Sequence, residues 1–300
     1  MKRNFWQTSL VVLVMLLVLT PAVFGRWVYQ SEIRIDGTRS YRGMILSNDE
    51  KTLYVVGLQD KVVLAYDVSV PNPEVIAFTA LPNPDAIGKA VFVSSDDHVW
   101  VPATVIPEVY EFTADLQLVA VHSTQGLGIT TCEGIVLDQA GNLYLSDRTG
   151  TAGVVKLIPS ASGWQRDTSW GVQGAAELGG DVRIAAIDDD GVIYAGVYSG
   201  STADFIFKID EKGNKSVFAN NLAHPLQLTI DSQGKIYSIN YAATPILTII
   251  SPSGEVLETY DSAELGLQTP GAGIAVTKDG KKLYILDQQD ISVRIYNWVD

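Results

Sequence analysis

One short pattern recurs six times along these 300 residues: an apolar strand, a polar turn, and a second strand that reads apolar, aromatic, apolar. The second strands are Leu53-Tyr54-Val55, Val99-Trp100-Val101, Leu143-Tyr144-Leu145, Ile193-Tyr194-Ala195, Ile236-Tyr237-Ser238 and Leu283-Tyr284-Ile285, with aromatics 46, 44, 50, 43 and 47 residues apart. Each aromatic follows a turn rich in Asp, Asn, Ser or Gly, as at 138–142, 188–191, 231–234 and 278–281, which is hairpin chemistry. A third alternating segment follows at 62–67, 109–112, 154–158, 205–209, 247–250 and 292–296. The next apolar run makes four strands per repeat.

A period near 45 residues built from four antiparallel strands excludes helical solenoids, whose repeats show 3.6-residue periodicity over ten or more positions. It predicts an all-β chain: a six-bladed β-propeller of four-stranded antiparallel blades around a central channel. After Tyr296 only four residues remain, too few for a fourth strand in the last repeat. Near the other end, Trp27, Tyr29, Ile33 and Ile35 alternate with Val28, Gln30, Glu32 and Arg34, the pattern of a half-exposed outer strand. Residues 27–35 are therefore expected to complete the sixth blade, which also covers an open strand edge.

Lys2 and Arg3 precede an apolar run over 10–19 and then small residues around Pro21, Ala22 and Gly25, the layout of a secretory signal peptide over 1–25. Left uncleaved, the same segment is an N-terminal membrane anchor. Residues 26–300 then form one propeller domain in a secreted or periplasmic protein, expected to be a monomer. Loss of Lys2 and Arg3 takes the formal charge from −13 to −15, which excludes nucleic acid as a natural partner. The single cysteine, Cys132, allows no intramolecular disulfide, so stability has to come from burial.

The stretch from Gly134 through Asp138, Gly141 and Tyr144 to Asp147 resembles an NHL-type repeat, and Gly273 through Tyr284 to Asp287 is similar. The repeats around Trp100 and Tyr194 depart from that pattern, lacking the aspartate after the second strand. Related six-bladed families are the calcium-dependent lactonases similar to senescence-marker and gluconolactonase proteins, the strictosidine-synthase-like proteins, and zinc-dependent amidating lyases. The resemblance implies that any chemistry sits at the channel mouth. In the lactonase-like pattern a Glu-Gly opening one inner strand and asparagine and aspartate at other blades hold a cation. Glu133-Gly134 matches the first part, but the corresponding places elsewhere carry Arg42, Lys89, Arg183, Leu226 and Ala272. Calcium takes six to eight oxygen ligands, so no cofactor is expected; Ca²⁺ at Glu133 belongs to the lactonase-like alternative. Zinc is excluded on inventory: His98, His122 and His224 sit in an inner hairpin turn, after an outer strand and before an inner strand, and are not expected to converge. There is no G-x-S-x-G setting, and Cys132 lacks an evident base.

The segments entering each inner strand and those leaving each second strand open on one face, where propeller ligands are sought. The entering positions include three cations, Arg42, Lys89 and Arg183, beside Glu133. The longest connection, 159–182, carries Trp164 and Trp170 and is expected to arrive there as a lid, with Tyr198 and Tyr241 nearby. One reading makes this a mouth that attracts an anion; the plainer one pairs its cations with Glu133, Asp147 and Asp181. The expected function is an exported binding module for a small, anionic ligand or a protein partner from the same compartment. The alternative is a lactonase-like hydrolase or lyase.

Overall fold

A computed structural model describes residues 25–37, 40–149, 151, 153–161, 163–241, 244–268 and 271–300. The segment read as a signal peptide lies outside the described residues except for Gly25. Among the described residues there is no helix; all regular structure is strand, arranged in six antiparallel sheets.

The first blade runs outward through Tyr41–Leu46, Thr52–Gly57, Val62–Asp67 and Glu74–Ala80, and the second through Phe92–Val93, Val99–Pro102, Glu108–Phe112 and Leu118–Ser123. The third comprises Cys132–Leu137, Leu143–Asp147, Gly153–Ser160 and Gly163–Arg166. The fourth is Gly180–Ile187, Ile193–Gly200, Ile206–Ile209 and Lys215–Ala219; the fifth is Pro225–Ile230, Ile236–Asn240, Leu247–Ile250 and Val256–Tyr260. In the sixth, Gly273–Val276, Lys282–Asp287 and Ser292–Val299 are completed on the outside by Arg26–Arg34, as the leftover alternating segment predicts. The inner strand Gly273–Val276 packs on Tyr41–Leu46 and closes the ring.

The closing strand contains a feature that alternation alone does not show. Its register slips between Tyr29 and Ser31, so that Tyr29 opposes Tyr296 while Ser31 opposes Ile295. Because side chains alternate with period two, one extra residue exchanges the two faces of the strand. Trp27 consequently packs toward the fifth blade with Tyr237, Leu283 and Tyr296, whereas Ile33 and Ile35 pack toward the first blade with Tyr66, Tyr284 and Val293. Tyr29, expected among the inward residues, is 48% exposed at the bulge.

The core is six separate clusters, one in each gap between neighbouring blades. Every repeated aromatic lies in one of them: Tyr54, Trp100, Tyr144, Tyr194, Tyr237 and Tyr284 are all buried. Their polar ends explain the composition of the preceding turns. Asp138 accepts the amides of Ala140 and Asn142 and the hydroxyl of Tyr144 at 3.0 Å; Asp188 and Asp231 accept the hydroxyls of Tyr194 and Tyr237 in the same way. In the second blade Ser94 stands in for the aspartate and receives Trp100 Nε1 at 3.1 Å. One carboxylate or hydroxyl thus closes the hairpin and satisfies the polar end of a buried ring.

The third blade departs from the expected four strands. Ala175–Glu177 adds a fifth, pairing with Gly153–Val155 beyond the point where Gly163–Arg166 leaves off. The long connection is therefore part of the sheet edge. Trp170 is 2% exposed and packs edge-on to Tyr144 in the gap between the third and fourth blades. The expected lid is corrected accordingly: Trp170 is a core residue, pulled down by a large apolar surface that the extra strand lets it bury.

Candidate anion site at the channel mouth

Close approach of the inner strands builds the site. A Cβ on Gly43 would lie 2.8 Å from Ala90 Cα and 2.9 Å from Lys89 O, and one on Gly273 would lie 2.6 Å from Arg42 O. Glycine at these positions lets the backbones of adjacent blades touch, which draws Arg42 and Lys89 toward one another.

Glu133 is at the centre. Its side chain is fully buried; Oε1 receives Lys89 Nζ at 2.5 Å and lies 3.8 Å from Arg148 Nη1, while Oε2 receives Arg183 Nη1. Arg183 spans two carboxylates, its Nη2 donating to Asp181 Oδ2 at 3.0 Å, and Arg148 Nε lies 3.3 Å from the same oxygen. Burial raises the Asp181 carboxyl above its ordinary value, opposed by Arg183. The Arg183 guanidinium also stands over the Tyr198 ring, 5.2 Å from its centroid. Tyr198 meets Tyr241 edge-on at 5.7 Å, and Tyr241 remains 44% exposed.

Arg42 completes the group differently. Burial, and then the charge of Arg183, push its guanidinium below the usual arginine range, against the opposing pull of Glu133, Tyr241 and Tyr198. Among the described residues it makes no ion pair, and its buried Nε has no hydrogen-bond partner. Arg183 Nε and Asp181 Oδ1 are likewise buried and unpartnered.

Of the residues singled out in the sequence, Arg42, Lys89, Glu133, Arg183, Tyr198 and Tyr241 share this end of the channel, and Trp170 does not. The plainer reading of the cations is right for Lys89 and Arg183, which pair with Glu133 and Asp181. Asp147 plays no part in that pairing; its Oδ1 accepts the amides of Thr130 and Thr131 and its Oδ2 that of Thr151, closing the loop beside it. Sequence reasoning missed Arg148. The signal was its place directly after the second strand of the third blade, on the face where such strands end.

The donor set is a poor match for a divalent cation. Both oxygens of Glu133 are engaged by cationic side chains, and the facing positions are Arg42, Lys89, Arg183, Leu226 and Ala272 instead of further oxygens. Among the described residues no group of three or more His, Cys, Asp and Glu is placed to hold a metal ion.

The histidines require a separate correction. His98 and His122 do converge, Nδ1 of the first lying 2.6 Å from Glu111 Oε1 and Nε2 of the second 2.7 Å from Glu111 Oε2. His122 lies within the outer strand Leu118–Ser123, not after it, and the register Val109↔His122 turns it to the same side as Glu111. His224 is elsewhere, with Nδ1 3.0 Å from Tyr198 O.

No family model and no curated protein matches the sequence. Solved structures do match in shape. A gluconolactonase from Xanthomonas campestris superposes with a TM-score of 0.67 at 13% identity, over 92% of this chain and 90% of its own. Virginiamycin B lyase from Staphylococcus aureus gives 0.62 at 13%, over 90% and 99%, and the calcium-binding protein regucalcin from Agrobacterium tumefaciens gives 0.60 at 12%, over 90% and 93%. What this chain has in common with those proteins is the β-propeller fold.

Proposed function

We propose that the protein binds a small organic anion at the channel mouth, with Arg42 as the residue that meets it. The observation that carries this reading is the inequality of charge: Arg42, Lys89, Arg148 and Arg183 gather around two carboxylates, Glu133 and Asp181, and Arg42 makes no ion pair of its own among the described residues. Arg42 is half-buried, and its one buried, unpartnered N–H carries a desolvation cost of about 1 to 3 kcal/mol, which an anion accepting that hydrogen bond relieves. Arginine suits a carboxylate because its planar fork bonds both oxygens, and the rings of Tyr198 and Tyr241 offer apolar area beside it.

The likeness to lactonases and lyases keeps a catalytic reading in view, but that chemistry as implied by the resemblance needs a cation where Glu133 is held by Lys89 and Arg183. Titration calorimetry with acetate, succinate, citrate and inorganic phosphate separates the two. At least one carboxylate is expected to bind, and Arg42→Gln is expected to weaken it at least tenfold without moving the melting temperature by more than about 2 °C. Anion binding that is indifferent to Arg42→Gln, or that appears only with added Ca²⁺, refutes the proposal in favour of the metal-dependent reading.

A further inference from the structure

The gap between the second and third blades differs from its neighbours in a way that bears on ligand binding. In the third and fourth blades the residue paired across the sheet from the repeated aromatic is a lysine. Lys156 opposes Tyr144, and its ammonium lies 5.7 Å from that ring's centroid; Lys208 opposes Tyr194 at 5.9 Å. Those blades supply their own cation to the ring. In the second blade the corresponding pair is Trp100 and Glu111, so the charge at this place is inverted.

The space beside them is open. A cleft of about 450 Å³ lies between the turns of the two blades, lined among others by Trp100, Trp164, His122, Glu111, Asp96 and Asp138. Trp164 stands edge-on to both Trp100 and His122, at 6.3 and 5.9 Å, and His122 stacks on Trp100 at 5.0 Å. His98 and His122 hold Glu111 from two sides and fix its orientation. Asp96 accepts the Ser94 hydroxyl at 2.5 Å, which keeps its carboxyl below the usual range. Among the described residues, three carboxylates and no lysine or arginine line this cleft.

We infer that the cleft between the second and third blades is a binding site for an organic ammonium group, separate from the channel mouth. The physical terms agree in sign. Carboxylates in a partly water-excluded pocket attract a cation more strongly than they do in water, and the partly exposed Trp164 indole adds attraction for alkylammonium groups, whose weak hydration makes them easy to strip of water, while Trp100 is already covered by His122. An anion is repelled, and a neutral molecule gains only the apolar contact. The external ligand brings to this cleft the positive charge that Lys156 and Lys208 supply beside the rings of the next two blades.

Choline and its neutral isostere 3,3-dimethylbutan-1-ol are the probes, titrated into the full chain while tryptophan fluorescence and heat are recorded. Choline is expected to bind saturably and at least tenfold more tightly than the alcohol. Trp164→Ala and Glu111→Gln are each expected to weaken it at least fivefold. Gln139→Lys places a tethered ammonium on an exposed turn at the cleft, where loss of fold is not expected, and should compete with choline to a similar extent. Arg42→Gln, at the mouth, should leave choline binding unchanged. Absence of saturable choline binding, equal affinity for the alcohol, or undiminished affinity in both Glu111→Gln and Gln139→Lys overturns the inference.

Discussion

Removal of residues 26–35 is the most demanding test of how this ring is held together. The segment forms a ladder with Ser292–Val299 and buries Trp27, Ile33 and Ile35 at 7%, 3% and 5% exposure, on two different faces. Full burial of one large apolar side chain is worth about 1.5 to 3 kcal/mol, so the three together contribute on the order of 5 to 9 kcal/mol. Domains of ordinary stability have about 5 to 15 kcal/mol in all. Loss of the strand also exposes the unpaired edge of Ser292–Val299, a template for aggregation. A chain that begins at Asp36 is therefore expected to melt at least 10 °C below one that begins at Arg26, at about 2 to 4 °C per kcal/mol for a domain near this size. Differential scanning calorimetry reads the difference directly. Trp27→Ala alone should cost about 3 to 5 kcal/mol as a large-to-small change. Equal melting temperatures for the two chains would refute the closure argument, because the clusters on both faces of the strand would then hold without it.

Two further outcomes follow from the mouth and the loop beside it. Glu133→Gln leaves Lys89 and Arg183 without their buried counter-charge and should cost about 3 to 5 kcal/mol in urea denaturation, much of it recovered by adding Arg183→Met; a loss below 1 kcal/mol would mean that the network is solvated. Burial raises the Asp147 carboxyl, but the amides of Thr130, Thr151 and Thr131 outweigh it and leave the value below its ordinary 3.8. Stability from this group is present in full at pH above the unfolded value and is lost as pH falls through the lowered folded value. Asp147→Asn should accordingly flatten the decline of the urea midpoint below about pH 4, and an unchanged slope would show that Asp147 does not contribute to it.

Charge reversal at Arg183 is not a clean test of anion attraction. In the fold its side chain is 10% exposed and joins Glu133 to Asp181, so Arg183→Glu would place three carboxylates together and damage the fold itself. Arg42 is the informative position, since it carries charge into the mouth without tying blades together.

The repeat, the ring of six blades and the N-terminal strand that closes it are legible in the sequence because each rests on local regularity. Two-residue alternation marks a strand, Asp and Gly mark a hairpin, and the recurrent aromatic marks the buried side of each blade. The mouth was partly legible for the same reason: Arg42, Lys89, Glu133 and Arg183 lie at equivalent points of successive repeats, and the topology brings equivalent points together. Tertiary structure alone decided the rest. Glu111 meets His98 and His122 through cross-strand register, and a single-residue slip would separate them. Trp170 left the mouth for the core because a fifth strand formed in the connection that carries it, and the bulge at Tyr29 sent Trp27 and Ile33 to opposite neighbours. Register and bulges are set by the sum of packing on both faces of a sheet, and no short stretch of sequence contains that sum.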